Sequence, residues 1–203
     1  MAYTAPTTLL AHHKVLAAEW NTDIVDNIVY LHDEGVTMTG WQKLLDANHA
    51  TVTIANTAVE TTIRQFSLAA NQLYVSSKNS VVRGQIIGTA LQNAGANWKL
   101  ALRLKYGGTT VSVQESVINA SSDTIPLVIN FDLIGNGATN SQVGVIYLGP
   151  AHGNIASQVF TNTTATEDST GALNVTITAQ WETASASATL SAYRHEAYLV
   201  LGA

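Results

Sequence analysis

The chain has 203 residues, 9 basic and 14 acidic, giving a formal net charge of −5, with 46% hydrophobic and 11% charged residues. That apolar content excludes a disordered chain, and the length allows one sandwich-sized domain with an arm. The absence of cysteine excludes disulfides and thiolate metal sites, and the shortage of basic residues excludes a surface that tracks nucleic-acid phosphates.

Residues 2–14, AYTAPTTLLAHHK, are polar, contain a proline and follow no period, so they read as an extended lead. Leu16, Trp20, Ile24, Ile28 and Leu31 then recur at spacings of four, four, four and three, which is one apolar stripe of an α-helix reaching about His32. Gly35 suits its C-terminal stop, whereas Asp33 and Glu34 sit at the end where the helix dipole disfavours negative charge. Residues 1–50 hold Lys14 and Lys43 against Glu19, Asp23, Asp26, Asp33, Glu34 and Asp46, a net −4 that leaves only −1 for the other 153 residues. An acidic arm of this kind suits either a basic protein surface or plain solvation. Between 36 and 60 the pattern is ambiguous. A short helix over Trp41–Asn48 capped by Thr39, followed by an extended stretch or stalk, is the expectation, with Trp41 beside Gly40 as the one tryptophan free to anchor on a partner.

From Thr62 the period changes to two. Strands are expected at 63–68, 73–77, 81–91, 98–106, 110–118, 125–134, 143–148, 154–163, 173–182 and 189–201. Three alternating sets mark the core: Trp98, Leu100, Leu102, Leu104 and Tyr106; Ile125, Leu127, Ile129, Phe131 and Leu133; Leu173, Val175, Ile177, Ala179 and Trp181. Gly107-Gly108 reads as a hairpin turn, and Asn93–Gly95, Ser121–Asp123, Gly135–Gly137, Gly149-Pro150 and Asp168–Gly171 break other pairs. Many short strands without intervening helices make a mainly β, two-sheet sandwich, and the strand count favours a jelly roll over an immunoglobulin-like sandwich. The expected division is an N-terminal arm with its α-helix over 1–61 and the jelly-roll-like domain over 62–203. The last strand ends Ala197-Tyr-Leu-Val-Leu201, apolar on both faces, so one of them is covered either by a second subunit of a homo-oligomer or by the chain's own N-terminal arm.

Chemistry is sparse. His12, His13, His32, His49, His152 and His195 include no helical i, i+4 ligand pair, and no metalloprotease, P-loop, nucleophile-elbow or dinucleotide motif occurs. Arg194-His195-Glu196 reads as a strand whose two charged residues share a surface. Glu182 and Asp132 are the carboxylates that a fold might bring together, but nothing in the sequence pairs them. The sequons at Asn119, Asn162 and Asn174 are expected by chance in so Asn-, Ser- and Thr-rich a chain. Positions 1–20 lack the basic start and apolar run of a secretory signal, and no run of 18 apolar residues spans a membrane, so we expect a product made in the cytosol without membrane insertion. No cofactor, metal or catalytic residue is expected.

The string Ala17-Ala-Glu-Trp-Asn21, followed by Ile24-Val-Asp-Asn-Ile28 and Tyr30-Leu31, resembles a segment of tailed-bacteriophage virion structural proteins. The later β-region is similar to phage decoration, fibre and receptor-binding jelly rolls in character only. The resemblance implies a non-enzymatic virion component, often a homotrimer, synthesised in the host cytoplasm. Its N-terminal segment would be held by the major capsid or another virion protein, with Leu16, Trp20, Ile24, Ile28, Leu31 and Trp41 as the attachment and oligomer contacts. The chain length favours a compact capsid decoration protein, with a tail-attached adhesin whose loops, such as 135–140 or 151–154, take host-surface glycan as the alternative.

Overall fold

The computed structural model describes residues 42–75, 78–93, 95–149 and 155–200; the expected helix over Leu16–Leu31 and Trp41 lie outside them. The described residues hold no helix and thirteen strands: β1 (Gln42–Asn48), β2 (Val52–Ala55), β3 (Thr61–Leu68), β4 (Tyr74–Val75), β5 (Lys78–Asn79), β6 (Val81–Gln92), β7 (Trp98–Tyr106), β8 (Thr109–Ile118), β9 (Ser121–Ala138), β10 (Ser141–Leu148), β11 (Ile155–Asn162), β12 (Leu173–Trp181) and β13 (Ala188–Val200).

The strands form two antiparallel sheets and a short β4–β5 pair. The first sheet runs β1-β13-β6-β9-β10, with β2 also on β13; the second runs β11-β8-β7-β12-β3. This order follows from one long antiparallel ribbon. Its tip is Gly107-Gly108, where φ values of 60° and 111° give the β7–β8 hairpin the left-handed backbone that glycine adopts without strain. Behind the tip, β6 pairs β9, β3 pairs β12, and β1 and β2 pair β13. Wrapping the ribbon on itself adds β13–β6 and β12–β7. β10, pairing β9, and β11, pairing β8, then extend each sheet by one strand. This nested pairing is a jelly-roll-like sandwich.

The alternating sets do face the interior. Leu100, Leu102, Leu104, Tyr106, Leu127, Ile129, Phe131, Leu133, Val175, Ile177 and Trp181 are buried in one cluster. Full burial of each large apolar side chain contributes roughly 1.5–3 kcal/mol before ordering costs.

The helix expected over Trp41–Asn48 is not formed by the described part of that segment: Gln42–Asn48 is a strand on β13. Val52–Ala55, expected as stalk or extended chain, pairs β13 further along. Two buried polar groups weld this stretch to the sandwich. His195, fully buried, bonds Asp46 Oδ2 through Nδ1 at 2.9 Å and packs in one cluster with Phe66 (centroids 5.4 Å) and Phe131 (6.1 Å). Arg64 donates to Ala50 O at 2.6 Å, Ile63 O at 2.8 Å and Ala192 O at 3.2 Å. Ala192 O lies at a register shift on β13, so Tyr193 and Arg194 both face out and His195 turns in. Arg194 and Glu196 share the outer surface as expected, and they pair with each other along the strand.

One edge closes through side chains. On β8 the inward set is polar: Ser112, Gln114 and Ser116 are buried. Ser112 Oγ accepts from Ile146 N at 3.1 Å, and Gln114 Oε1 accepts from Leu148 N. The outer edge of β10, which would otherwise present bare backbone donors, is thus satisfied from the opposite sheet.

Candidate functional site

The sequence-derived contact residues Leu16, Trp20, Ile24, Ile28, Leu31 and Trp41 all lie outside the described residues, as does the loop 151–154. The other loop considered, 135–140, is tied up internally. Gly137 N donates to Asn79 Oδ1 at 2.8 Å, Asn136 Nδ2 donates to Ser141 Oγ at 3.1 Å, and a Cβ at Gly135 would meet Leu73 O at 2.2 Å. Its polar groups serve the β9–β10 hairpin.

The described residues place a more open site on the outer face of the second sheet. Outward positions on β7 are Lys99, Ala101, Arg103 and Lys105, three long cations interrupted by one methyl. Register sets Ala101 beside Glu115 of β8 and Gln180 of β12. The missing side-chain volume at Ala101 leaves a dent of about 190 Å³ lined by Lys99, Ala101, Arg103, Glu115, Gln180, Trp181 and Glu182.

Each wall is held in place. Lys99 Nζ lies 3.1 Å from Glu115 Oε2. The Lys99 backbone N donates to Glu182 Oε2 at 3.1 Å, while Glu182 N donates to Lys99 O at 2.9 Å, so β12's end is clasped to β7. Gln180 Nε2 donates to Ala58 O at 2.7 Å. Beyond the dent, Glu60 receives Lys105 Nζ at 2.5 Å and Thr178 Oγ1 at 2.8 Å, with Arg103 Nη1 at 3.7 Å. Burial pushes the Glu60 carboxyl up. The hydrogen bonds from Lys105 and Thr178 and the charges of Lys105 and Arg103 outweigh it, holding the group below its ordinary value. Arg103 Nη1 is itself buried and makes no hydrogen bond.

The ring around Ala101 therefore balances two cations, Lys99 and Arg103, against two carboxylates, Glu115 and Glu182, with an amide between them. Such a ring offers donors and acceptors to a neutral polar ligand whose groups do both. Among the described residues no group of three or more His, Asp and Glu side chains is placed to hold a metal. Asp132 and Glu182 are not neighbours. Asp132 pairs with Arg83 on the outer face of the first sheet at 2.8 Å, while Glu182 follows β12 in the second. The local sequence signal for the dent is the small residue breaking Lys99-x-Ala101-x-Arg103; its walls come from strands far away in the chain.

The sequence matches no family profile and no curated protein. Among solved structures it is similar to the CBM2 module of the evolved Dit of Lactobacillus casei BL23 phage J-1, at 8% identity and TM-score 0.35, covering 82% of this chain and 99% of that one. Lectin I of Ulex europaeus, solved with the methyl glycoside of α-L-fucose, matches at 8% identity and TM-score 0.34 over 78% of this chain and 92% of that one. Lectin I-B4 of Griffonia simplicifolia matches at 9% identity and TM-score 0.36 over 81% and 94%. Likenesses this distant assign nothing to this chain, and its architecture rests on its own strand order.

Proposed function

We propose that this chain is a non-catalytic surface protein of a phage virion whose sandwich holds a host-surface glycan, one sugar of which seats over Ala101. The observation that carries this reading is the dent with its balanced polar ring. A sugar presents hydroxyls that donate and accept at once, and Lys99, Arg103, Glu115, Glu182 and Gln180 supply both complements within one small concavity. The volume falls below the ~300 Å³ at which pockets for drug-sized ligands begin, which suits a single ring of a longer chain rather than a buried ligand. Binding would be weak per site and strengthened by display of several copies on one particle.

The test is a glycan array probed with the full chain and with Ala101→Leu, whose longer side chain fills the floor of the dent. The wild type is expected to retain a subset of glycans, and Ala101→Leu to lose at least ten-fold in affinity with an unchanged melting temperature. Absence of retained glycans, or retention untouched by Ala101→Leu, refutes the reading.

A second reading is a capsid decoration protein anchored through its N-terminal segment, favoured by the stripe Leu16, Trp20, Ile24, Ile28 and Leu31 and its resemblance to virion proteins. Under that reading, deleting residues 1–34 abolishes incorporation into particles and leaves the β-region folded. Incorporation of the truncated chain counts against it.

A further inference from the structure

The outer faces of the two sheets differ in kind. The second sheet presents Lys99, Arg103, Lys105, Glu115, Thr176 and Gln180 across its centre, with Val113, Val117 and the exposed Val159 among them towards the β11 edge. The first presents apolar and aromatic side chains flanking a centre of paired polar groups, Arg83–Asp132 and Gln85–Asn130. Strand register places Val200, Val81, Ile134 and Val143 in one row, Leu44, Tyr198, Arg83, Asp132 and Val145 in the next, and Glu196, Gln85, Asn130 and Tyr147 in a third. Ile87 and Val128 pair beyond these, with Tyr193 beside them, its hydroxyl 2.8 Å from Thr89 Oγ1. Leu44 is 53% exposed, Tyr147 and Tyr193 42% each, and Ile87 39%. A contiguous face of this composition marks an interaction surface.

We infer that this face is covered by a second copy of the same chain, sheet face against sheet face. Three observations select that occupant. The charges on the face are already neutralised within it: Arg83 Nε and Nη2 grip the two oxygens of Asp132 at 2.8 and 3.1 Å, and Arg194 pairs with Glu196. Identical faces therefore meet without like-charge repulsion and without burying an unpaired ion. The extent fits as well. Five strands across, ~4.8 Å apart, and about eight residues along at ~3.3 Å each make a plane on the order of 500 Å². Two such faces together make about 1,000 Å², the size at which specific interfaces begin. Finally, strand addition is closed off at the β10 edge: Ile146 N and Leu148 N are bonded by β8 side chains, and Gln142 exchanges backbone hydrogen bonds with Ala165. Association at this end of the sheet is left to the face.

The experiment is the solution mass of the full chain, by light scattering after size exclusion across micromolar concentrations, for wild type, the double variant Ile87→Lys/Tyr147→Lys, and Gln65→Lys on the second sheet as control. Wild type and Gln65→Lys are expected at two or more chain masses, and the double variant at one, with a circular dichroism spectrum matching wild type. Because the chain has no cysteine, Ile87→Cys adds a single thiol, and a short bis-maleimide is expected to join two chains through it. Wild type at one chain mass throughout overturns the inference, as does a folded double variant that keeps the wild-type mass. Should the double variant fail to fold, absence of cross-linked pairs with Ile87→Cys overturns it instead.

Discussion

Ser112→Ala probes how the open side of the sandwich is held. Ser112 Oγ accepts from Ile146 N at 3.1 Å and donates to Asn162 Oδ1 at 2.7 Å, and its side chain is buried between β8 and β10. Alanine removes one oxygen and almost no volume, so the cavity contribution is small. Asn162 is exposed and turns to water, but Ile146 N–H stays buried without an acceptor. Leaving such a donor unsatisfied costs about 1–3 kcal/mol. For a chain of this size each kcal/mol shifts the midpoint by ~2–4 °C, so the melting temperature is expected to fall by about 2–12 °C. The neighbouring Gln114→Met is expected to cost less. It orphans Leu148 N–H, but it also deletes Gln114 Nε2, a buried donor that makes no hydrogen bond in the native fold. Differential scanning calorimetry measures both variants, and amide exchange at Ile146 should accelerate selectively in Ser112→Ala. A Ser112→Ala midpoint within ~1 °C of wild type refutes the idea that polar side chains close this edge, and a larger loss for Gln114→Met refutes the offset assigned to its unbonded Nε2.

Three further outcomes are expected. At Gly84 an added Cβ would lie 2.1 Å from Phe131 Cζ and 2.9 Å from Glu196 O, so Gly84→Ala overpacks the core and costs about 1–3 kcal/mol in urea denaturation, with Phe131→Leu partly rescuing it because the two sites are in contact. Burial pushes the His195 imidazole below its ordinary 6.5, against the opposing pull of the Asp46 carboxylate, with Arg64 lowering and Glu196 raising it. The unfolded chain therefore binds the proton first on acidification, and stability falls as pH drops below about 6.5 with a limiting slope of about 1.4 kcal/mol per pH unit. Melting curves between about pH 7.5 and 5 should show that slope in wild type and lose it in His195→Gln. Leu102→Ala, at a fully buried position between the sheets, is expected to lose about 2–5 kcal/mol by chemical denaturation.

Most of the β-architecture was legible in order of sequence. Period-two alternation fixes which residues of a strand face inward, and that is a property of neighbouring residues. Hence Leu100–Tyr106, Ile125–Leu133 and Val175–Trp181 fall inside as the pattern requires, and Gly107-Gly108 turns where two glycines sit together. The same local rule leaves the faces of β8 unassigned. There the polar set Ser112, Gln114 and Ser116 is buried, and Val113 and Val117 lie on the opposite face. Those polar side chains satisfy an edge on a strand more than thirty residues later in the chain. The rule misled at 42–55, where weak alternation hides two strands fixed by Asp46–His195 and Arg64–Ala50 contacts.

By itself the sequence determined a mainly β chain with a well-defined interior and no cysteine chemistry, because composition and alternation carry those facts within a few residues. Only the tertiary structure decided that Ala101, Glu115 and Gln180 share one concavity, and that Tyr147, Ile87 and Tyr193 share one face. Pairing register and the bulge at Tyr193 bring together side chains far apart in the chain, and a pattern with a memory of two residues cannot encode which strand lies beside which.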